Sequence, residues 1–365
     1  MRVLHFHDDW GAGAVRLQRF VQSELDMGIL PIIFVKKEAY IIKRGGERPP
    51  SLWIPEMNRV PVEYFEPSRK LSYLLPTPLD RIGLKEVFKE YRCDLVHAHN
   101  IACAYYSYRL GLPTLFDDWE YYFEYLDYEP KALGIGPKQA ASVFLSYVRR
   151  VRAKKIMRKL IQNLPVIVTN NEVESKYREL GATSIWWVPN VPLSYEREYA
   201  FAVDVVKRER ITTCYIGSMS ADENSILRNT SGVRRLWSEH DIGDLLVFEG
   251  KNRVPHLDVL RRVRKCHFNL LYWKPLSVHR YFLQNKAFLA SIVGVPTIIS
   301  SSLKATVRLL GEYALPVHSL EDISEVIRSY NYSRKYHLNP AHLWEYHQPK
   351  IRVAYEEALR LARHV

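Results

Sequence analysis

A short acidic cluster is the segment of this sequence best suited to acid–base chemistry. Asp117, Asp118 and Glu120 surround Trp119 directly after the apolar run LPTLF. Carboxylates packed against aromatic rings are costly unless they are solvated or used, and one of them could take a proton from a hydroxyl group. Two structural interpretations stay open, in which Asp117 or Asp118 caps a helix or the cluster forms a rim of salt bridges. We expect at least one of these carboxylates to belong to a site.

The run DLVHAH predicts a buried strand that ends in two histidines. His97 and His99 are two positions apart, so they share one face of that strand. The carboxyl ends of strands are where α/β proteins build their sites, which makes His99 a candidate catalytic residue beside Asp118 and Glu120. His99 and the neighbouring aspartates could also bind a metal, but their spacing matches no zinc motif. We therefore predict a site without metal.

Two other segments could bind an anion. Gly11, Ala12 and Gly13 follow a predicted strand and precede a helix, so their backbone amides could face a phosphate or a sugar. A plain tight turn explains the two glycines equally well. Asn285 and Lys286 begin an apolar helix, where the dipole favours an anion rather than a cation. The pair therefore indicates an external anion, unless Lys286 only extends to water.

Short apolar runs alternate with amphipathic helical patterns along the whole chain. In the first half the predicted strands are RVLHF, LPIIFV, DLVHAH, LPTLFD, LPVIVT and SIWWVP. In the second half they are TTCYIG, LLVFEG, HFNLLYW, VPTIIS and YALPVH. This alternation predicts an α/β fold, with doubly wound parallel sheets covered by helices on both faces.

A polar stretch with two prolines interrupts this pattern near residues 190–210 and predicts a linker between two doubly wound domains. The predicted domains are residues 1–195 and residues 205–345. The last amphipathic segment, residues 346–365, has no strand after it, so we expect a helix that packs back on the first domain.

The chain is basic, with 52 Lys and Arg against 40 Asp and Glu and a formal charge of +12. This balance suits phosphate-bearing ligands, anionic lipid or nucleic acid without choosing among them. Seven cations lie between Arg149 and Lys159 in one helical pattern that could dock on an anionic membrane, although a solvated surface helix explains it as well. Nucleic acid is disfavoured, because the cations concentrate in that helix instead of alternating with aromatic residues over a surface.

Cysteine usage and hydropathy predict a cytoplasmic protein that could associate with a membrane surface. The four cysteines fit no zinc motif and have apolar neighbours, as reduced thiols do. No run approaches the roughly 18 uncharged apolar residues of a membrane helix, and the first residues do not resemble a signal peptide. The richness in Tyr, Arg, Lys and Ile is compatible with a thermophile.

The order of these motifs resembles the GT-B glycosyltransferases, in particular the retaining family four. GAGAVRLQRF resembles that family's glycine loop and first helix, DLVHAHN its strand ending in histidines, and LPTLFDDWEYY the segment that follows. VIVTNNEVESKYRELGATSIWWVPNVP is similar to its passage into the linker. TTCYIGSMS, LLVFEGK and NKAFLASIVGVPTII are similar to three motifs of its second domain. The segments keep the family's order over nearly the whole chain.

The resemblance implies two Rossmann-like domains that face a central cleft, the first on the acceptor side and the second binding the nucleotide sugar. It implies transfer of a sugar from a UDP- or GDP-linked donor to a hydroxyl, with retention and without a cofactor, because positive groups can stabilise the leaving diphosphate. The candidate catalytic residues are Asp118, Glu120 and His99. The donor-binding residues are Gly11, Ala12, Gly13, Gly217, Ser218, Lys251, Arg253, His279, Tyr281, Asn285 and Lys286.

The sequence departs from the family at several positions, and its segment GSMSADENS lacks the arginine and lysine that usually follow the preceding strand. Tyr281 and Leu289 stand where the family usually has two glutamates, and Trp119 stands in place of its histidine. These departures keep a catalytically silent GT-B subunit that binds a sugar, a nucleotide or a partner as the main alternative function. A nucleotide-sugar epimerase and a nucleic-acid-binding protein are the other rivals. The acceptor stays open among a lipid-linked glycan, a protein and a polysaccharide.

Overall fold

The computed structural model describes residues 1–7, 15–36, 59–65, 82–119, 121, 140–217, 219, 230–248 and 255–363. The chain forms two compact units. The first consists of Met1–Val188 together with the C-terminal residues from Gln348, and the second of Pro189–His347. No helix in the described part of the chain is long and apolar enough to span a membrane.

Each unit is built on one parallel sheet. The first unit has seven strands, β1 (Arg2–His7), β2 (Leu30–Lys36), β3 (Val62–Phe65), β4 (Leu95–Ala98), β5 (Thr114–Asp118), β6 (Val166–Val168) and β7 (Ile185–Trp187). The second has five, β8 (Thr212–Tyr215), β9 (Asp244–Val247), β10 (Phe268–Leu271), β11 (Thr297–Ser300) and β12 (Ala314–Val317). Their spatial orders are β3-β2-β1-β4-β5-β6-β7 and β12-β11-β10-β8-β9. The prediction of two doubly wound parallel sheets is confirmed.

The helices of the described chain connect these strands. They are α1 (Val15–Asp26), α2 (Leu84–Glu90), α3 (Ile101–Arg109), α4 (Ala140–Asn163), α5 (Asn171–Glu179), α6 (Ser194–Phe201), α7 (Thr230–Glu239), α8 (His256–Val263), α9 (Asn285–Ser291), α10 (Lys304–Leu310), α11 (Glu321–Ser329) and α12 (Gln348–Ala362). Two of them begin with a side-chain cap directly after a strand. Asn100 accepts the Cys103 amide at 2.8 Å at the start of α3, and Asn170 accepts the Val173 amide at 3.0 Å at the start of α5.

Strand β3 was not among the predicted strands. Val62–Phe65 lies at the edge of the first sheet, where only Phe65 is buried. An edge strand needs no long apolar run, because one side and one face of it meet solvent. Its sequence VEYF therefore carried no clear strand signal.

The C-terminal helix packs on the first sheet, as predicted. The fully buried residues of α12 include Ile351, Ala354 and Tyr355, and the helix contacts β4, β5 and β7. Residues of one helical face recur every three or four positions, which gives this helix its single buried stripe.

The stretch predicted as a linker is structured instead. Residues 194–201 form α6, which packs on α8 in the second unit. The guanidinium carbon of Arg261 lies 3.7 Å from the ring centre of Tyr199, and the imidazole Nε2 of His256 lies 2.7 Å from Glu196. These contacts attach the polar stretch to the second unit. The composition of the stretch alone did not predict this helix or its packing.

Candidate functional site

The last residues of β5 form a buried ion pair in the first unit. Asp117 is fully buried, and Arg16 of α1 binds it through two nitrogens, at 2.9 Å from Nε and 2.7 Å from Nη2. Burial raises the pKa of Asp117, but the charge and hydrogen bonds of Arg16 and the hydrogen bond of His99 outweigh it and hold that pKa at about 2. Arg16 also donates to the carbonyl of Val188 at 3.0 Å. Asp117 is therefore an ionised anchor for α1.

Asp118 is also buried and bonded to a distant element. It accepts a short hydrogen bond from the hydroxyl of Tyr177 in α5. Burial and the neighbouring carboxylate raise the pKa of Tyr177 well above its ordinary value, so the tyrosine stays a donor. Asp117 and Asp118 lie inside a strand and bond to α1 and α5. Both therefore hold helices against the strand instead of forming a rim of surface salt bridges.

The turn after β5 is held on both sides of Glu120. The indole nitrogen of Trp119 donates to the carbonyl of His99 at 3.1 Å. Tyr121 is 1% exposed, has a φ of 52° and packs its ring 5.6 Å from that of Tyr177. A positive φ at a non-glycine residue is uncommon and persists only where the surrounding contacts hold it. Glu120 itself lies outside the described residues.

A cluster of three histidines lies beside this acidic pair, at the carboxyl ends of β1 and β4. The Nδ1 of His5 lies 2.8 Å from the Nε2 of His99, and the rings of His97 and His99 stack at 4.3 Å. Burial lowers the pKa of His97 well below its ordinary value. Burial also lowers the pKa of His99, to about 3, against the opposing hydrogen bond from Asp117. His97 and His99 are therefore neutral and withdrawn from solvent.

The sequence prediction brought His99 and Asp118 to this edge, but it missed the helix residues that bind the neighbouring Asp117, His5 and His97. Arg16, Glu24 and Tyr355 come from two helices, and each of them is nearly or fully buried. One signal was present in the sequence. Arg16 and Glu24 lie on the buried face of an amphipathic helix, where charged residues are rare unless they are paired. Their partners, however, are up to 331 positions away along the chain.

The second unit places the ammonium group of a lysine beside the loop that follows β8. Gly217 follows β8 and has a φ of 146°, and a Cβ added there would lie 2.6 Å from the Nζ of Lys286. The same Nζ lies 6.0 Å from the ring centre of Tyr215. Lys286 therefore projects its ammonium group from α9 to the loop after β8. Glycine is required at 217 both by its φ and by this close approach.

The start of α9 differs from the sequence expectation in one respect. Asn285–Ser291 is only seven residues long, so its dipole is weaker than that of a long helix. Asn285 is the first residue of this helix and is partly buried. The charge of Lys286 is therefore the larger part of the positive potential at this strand end.

Two predicted donor-binding residues belong to the interior of the second unit. His279 is fully buried and packs edge-on against Trp273 at 4.9 Å, and burial lowers its pKa to about 4. Tyr281 is 5% exposed, and Arg280 both donates a short hydrogen bond to its hydroxyl and lies 4.6 Å from its ring centre. Leu289, at the second position where the family usually has a glutamate, is buried in the core.

Several predicted site residues cannot be positioned against this geometry. Those outside the described residues are Gly11, Ala12, Gly13, Glu120, Ser218, Lys251 and Arg253. The predicted roles of the two units, acceptor side and donor side, likewise stay predictions.

The basic helix predicted to dock on a membrane packs on the first unit. Ile156 and Leu160 of α4 are buried there, and the ammonium of Lys159 lies 5.4 Å from the ring centre of Tyr108. Val151 is 52% exposed. Since the protein core already covers Ile156 and Leu160, membrane docking would depend on Val151 and the cations, and it stays a prediction.

Comparison with known proteins adds evidence on the fold. No family model matches this sequence, and no curated protein matches it. Among solved structures, a sucrose-phosphate synthase from Thermosynechococcus elongatus superposes with a TM-score of 0.61 at 12% identity, over 100% of this chain and 98% of that one. A glycosyltransferase from Rickettsia africae ESF-5 superposes with a TM-score of 0.54 at 11% identity, over 99% and 95% of the two chains. At such low identity the likeness shows the fold alone, and that fold is GT-B.

Proposed function

We propose that this protein is a glycosyltransferase that moves a sugar from a nucleoside-diphosphate sugar to an acceptor hydroxyl. The observation that carries the proposal is the ammonium group of Lys286 at Gly217, directly after β8 in the second sheet. Ligands of open parallel sheets bind outside the carboxyl ends of the strands, and a lysine directed to that edge suits a diphosphate.

The chemistry asked of Lys286 is electrostatic. As the bond between the sugar and the diphosphate breaks, negative charge grows on the leaving phosphate oxygen. A positive group already in place lowers the energy of that state without having to reorganise. The likeness of the sequence to the retaining family four supports transfer with retention and a UDP- or GDP-linked donor.

The proton of the acceptor hydroxyl also needs a destination. Asp117 binds Arg16, and Asp118 accepts from Tyr177 deep inside the first unit. We therefore propose Glu120, which follows the turn held by Trp119, as the proton acceptor, and the buried aspartates as residues that hold the turn. The acceptor would be a glycan, lipid-linked or free, or a protein.

The test is a screen of nucleoside-diphosphate sugars for binding, hydrolysis and transfer. Binding read by thermal shift is expected for one base and one group of sugars, because a bound donor stabilises the folded state by mass action. Slow release of nucleoside diphosphate without an acceptor, accelerated by the correct acceptor, would support a transferase. Binding without any turnover would support the silent GT-B subunit, which the tyrosine and leucine at positions 281 and 289 favour. No binding of any nucleotide would contradict both proposals.

A further inference from the structure

The three histidines His5, His97 and His99 converge at one point of the first unit. One nitrogen of each ring lies within 4.8 Å of the nitrogens of the other two, and all three side chains are buried. His5 comes from β1, whereas His97 and His99 come from the neighbouring β4 and the residue just after it. The glycosyl transfer proposed above does not use this cluster.

The outer nitrogens of two rings bind carboxylates. The Nε2 of His5 lies 2.7 Å from Glu24, and the Nδ1 of His99 lies 3.2 Å from Asp117. Arg16 donates to Asp117 through two nitrogens, so this carboxylate accepts from His99, which carries its hydrogen on Nδ1. Glu24 accepts from Tyr355 and, in the same way, from the Nε2 of His5. The other nitrogens of these rings, the Nδ1 of His5 and the Nε2 of His99, are called the inner nitrogens. Each therefore carries a lone pair, and the two atoms lie 2.8 Å apart.

The ring of His97 also has one nitrogen bonded to a supporting side chain and one nitrogen with a lone pair. The hydroxyl of Tyr355 has one hydrogen, which it donates to Glu24, so at 2.9 Å its oxygen accepts from the Nδ1 of His97. The Nε2 of His97 then carries a lone pair. It is buried and has no hydrogen-bond partner among the residues that the structure describes. A buried polar atom in this state costs about 1–3 kcal/mol.

Two lone pairs 2.8 Å apart require a positive species between them. The Nε2 of His97, a ring of the same cluster, adds a third lone pair that has no partner among the described residues. A single proton shared between His5 and His99 would satisfy two of them and leave the Nε2 of His97 without a partner. A metal ion would satisfy all three, and a carboxylate or hydroxyl on the outer nitrogen is the usual support of a metal-binding histidine. We propose that His5, His97 and His99 bind a zinc ion, with Glu24, Asp117 and Tyr355 orienting the rings.

The ligand atoms of the cluster fit a zinc ion. Neutral imidazole suits zinc as well as copper, iron and nickel, and three histidines supply three of the four ligands of a tetrahedral zinc ion. Zinc–nitrogen bonds are about 2.0–2.1 Å long, so the inner nitrogens of His5 and His99 would separate slightly. The stacked rings of His97 and His99 would tilt toward a common point.

A metal ion at this point would cross-link the central strands of the first sheet. β1 and β4 are adjacent in the sheet, and the supporting residues come from α1, β5 and α12. One ion would thus connect five elements that meet at the carboxyl edge. Because the ion would be buried, its effect is expected on stability and not on the transfer step.

The test uses the full-length protein, unfolded in denaturant and refolded with either zinc or a strong chelator, since a buried ion exchanges only on unfolding. We expect about one zinc per chain by elemental analysis in the zinc sample and a lower melting temperature in the chelator sample. Refolding with cobalt should give the visible absorption of a nitrogen-ligated tetrahedral ion. Zinc well below one equivalent per folded chain would overturn the proposal in favour of a shared proton.

Variants locate the ion. His97→Gln and His99→Gln should each lose the zinc and the chelator-dependent melting shift, whereas His342→Gln, at a buried histidine of the second unit, should keep both. Zinc that persists in both cluster variants would place the ion elsewhere and overturn the assignment. If the cluster variants do not fold, the cobalt spectrum of the unmodified protein decides, because a spectrum without nitrogen-ligated tetrahedral bands also overturns it.

Discussion

At the scale of single residues, the proposed diphosphate contact of the second unit depends on one cation and one glycine. Lys286 reaches the loop after β8, and Gly217 leaves the space that its ammonium group fills. In the first unit, by contrast, the polar side chains bind one another across elements. The proposed donor contact therefore depends on few side chains, and single substitutions there test it directly.

Lys286→Ala should weaken the binding of a nucleoside diphosphate by about 1.5–3 kcal/mol, the range of a hydrogen bond to a charged group. Lys304→Ala is the matched control, since Lys304 also begins a seven-residue helix of the same unit but is exposed. Isothermal titration calorimetry measures both affinities. Equal diphosphate affinity of the two folded variants would remove Lys286 from the donor site.

Gly217→Ala should also lower diphosphate affinity, because its Cβ would displace the Lys286 ammonium group. Gly294→Ala provides the comparison. Gly294 also has a positive φ, 77°, but an added Cβ there has nothing within 4 Å. Both variants should lose about 1–3 kcal/mol of stability from backbone strain, and only the first should lose affinity. Similar affinities in titrations of the two would contradict the close approach.

Glu120→Gln should lower the rate of transfer by about 10²–10⁴-fold, the usual contribution of a general base, with little change in melting temperature. Asp118→Asn should instead lower the melting temperature, because Asp118 is a buried partner of Tyr177. Steady-state kinetics and thermal unfolding of the two variants separate the roles. A normal transfer rate in Glu120→Gln would exclude it as the proton acceptor.

At the scale of elements, the C-terminal helix completes the polar interior of the first unit. Tyr355 of α12 bonds to Glu24 of α1 and to His97 of β4. Lys350 of the same helix places its ammonium 3.4 Å from the ring centre of Trp187. The C-terminal helix therefore contributes to the core of the first unit.

Tyr355→Phe should destabilise the first unit by about 1–3 kcal/mol, because it leaves Glu24 and His97 each without one buried partner. Tyr346→Phe changes the same group at a residue that is 59% exposed and should have an effect near zero. Denaturant unfolding followed by tryptophan fluorescence measures both. A Tyr355→Phe protein as stable as the control would mean that water replaces the hydroxyl.

At the scale of the whole molecule, two units share one chain that leaves the first unit after Val188 and returns to it at Gln348. The stability of the first unit therefore depends on residues that come after the second. The two segments of the first unit are separated along the chain by the whole second unit, and they meet where the C-terminal helix packs on the first sheet.

Removal of residues 348–365 should destabilise the first unit selectively. The deletion uncovers the surface against which Ile351, Ala354 and Ala358 are buried, and the helix that carries them contacts β4, β5 and β7 of the first sheet. Hydrogen exchange followed by mass spectrometry should show lost protection in β4, β5 and β7 and retained protection in β8, β10 and β11. Uniform loss of protection in both units would contradict independent cores.

Most of the secondary structure could be predicted because buried parallel strands read as short apolar runs. All eleven predicted strands are present, from the run at Arg2 to the run at Ala314. The edge strand at Val62 and the helix at Ser194 were missed, since neither has the apolar pattern of a buried element. Among the candidate site residues, His99 and Asp118 lie at strand ends and Lys286 in the first turn of a helix, as their positions in the sequence implied; their roles stay predictions.

Periodicity and chain order are local properties, so they were enough to predict the alternation of strands and helices, the two sheets and the residues at the ends of strands. Only the tertiary structure decided the partners. Arg16 meets Asp117, Tyr177 meets Asp118, and Tyr355 meets Glu24 across 59 to 331 positions. Contacts at such separations follow from the packing of whole helices on a sheet, so no local pattern in the sequence encodes them.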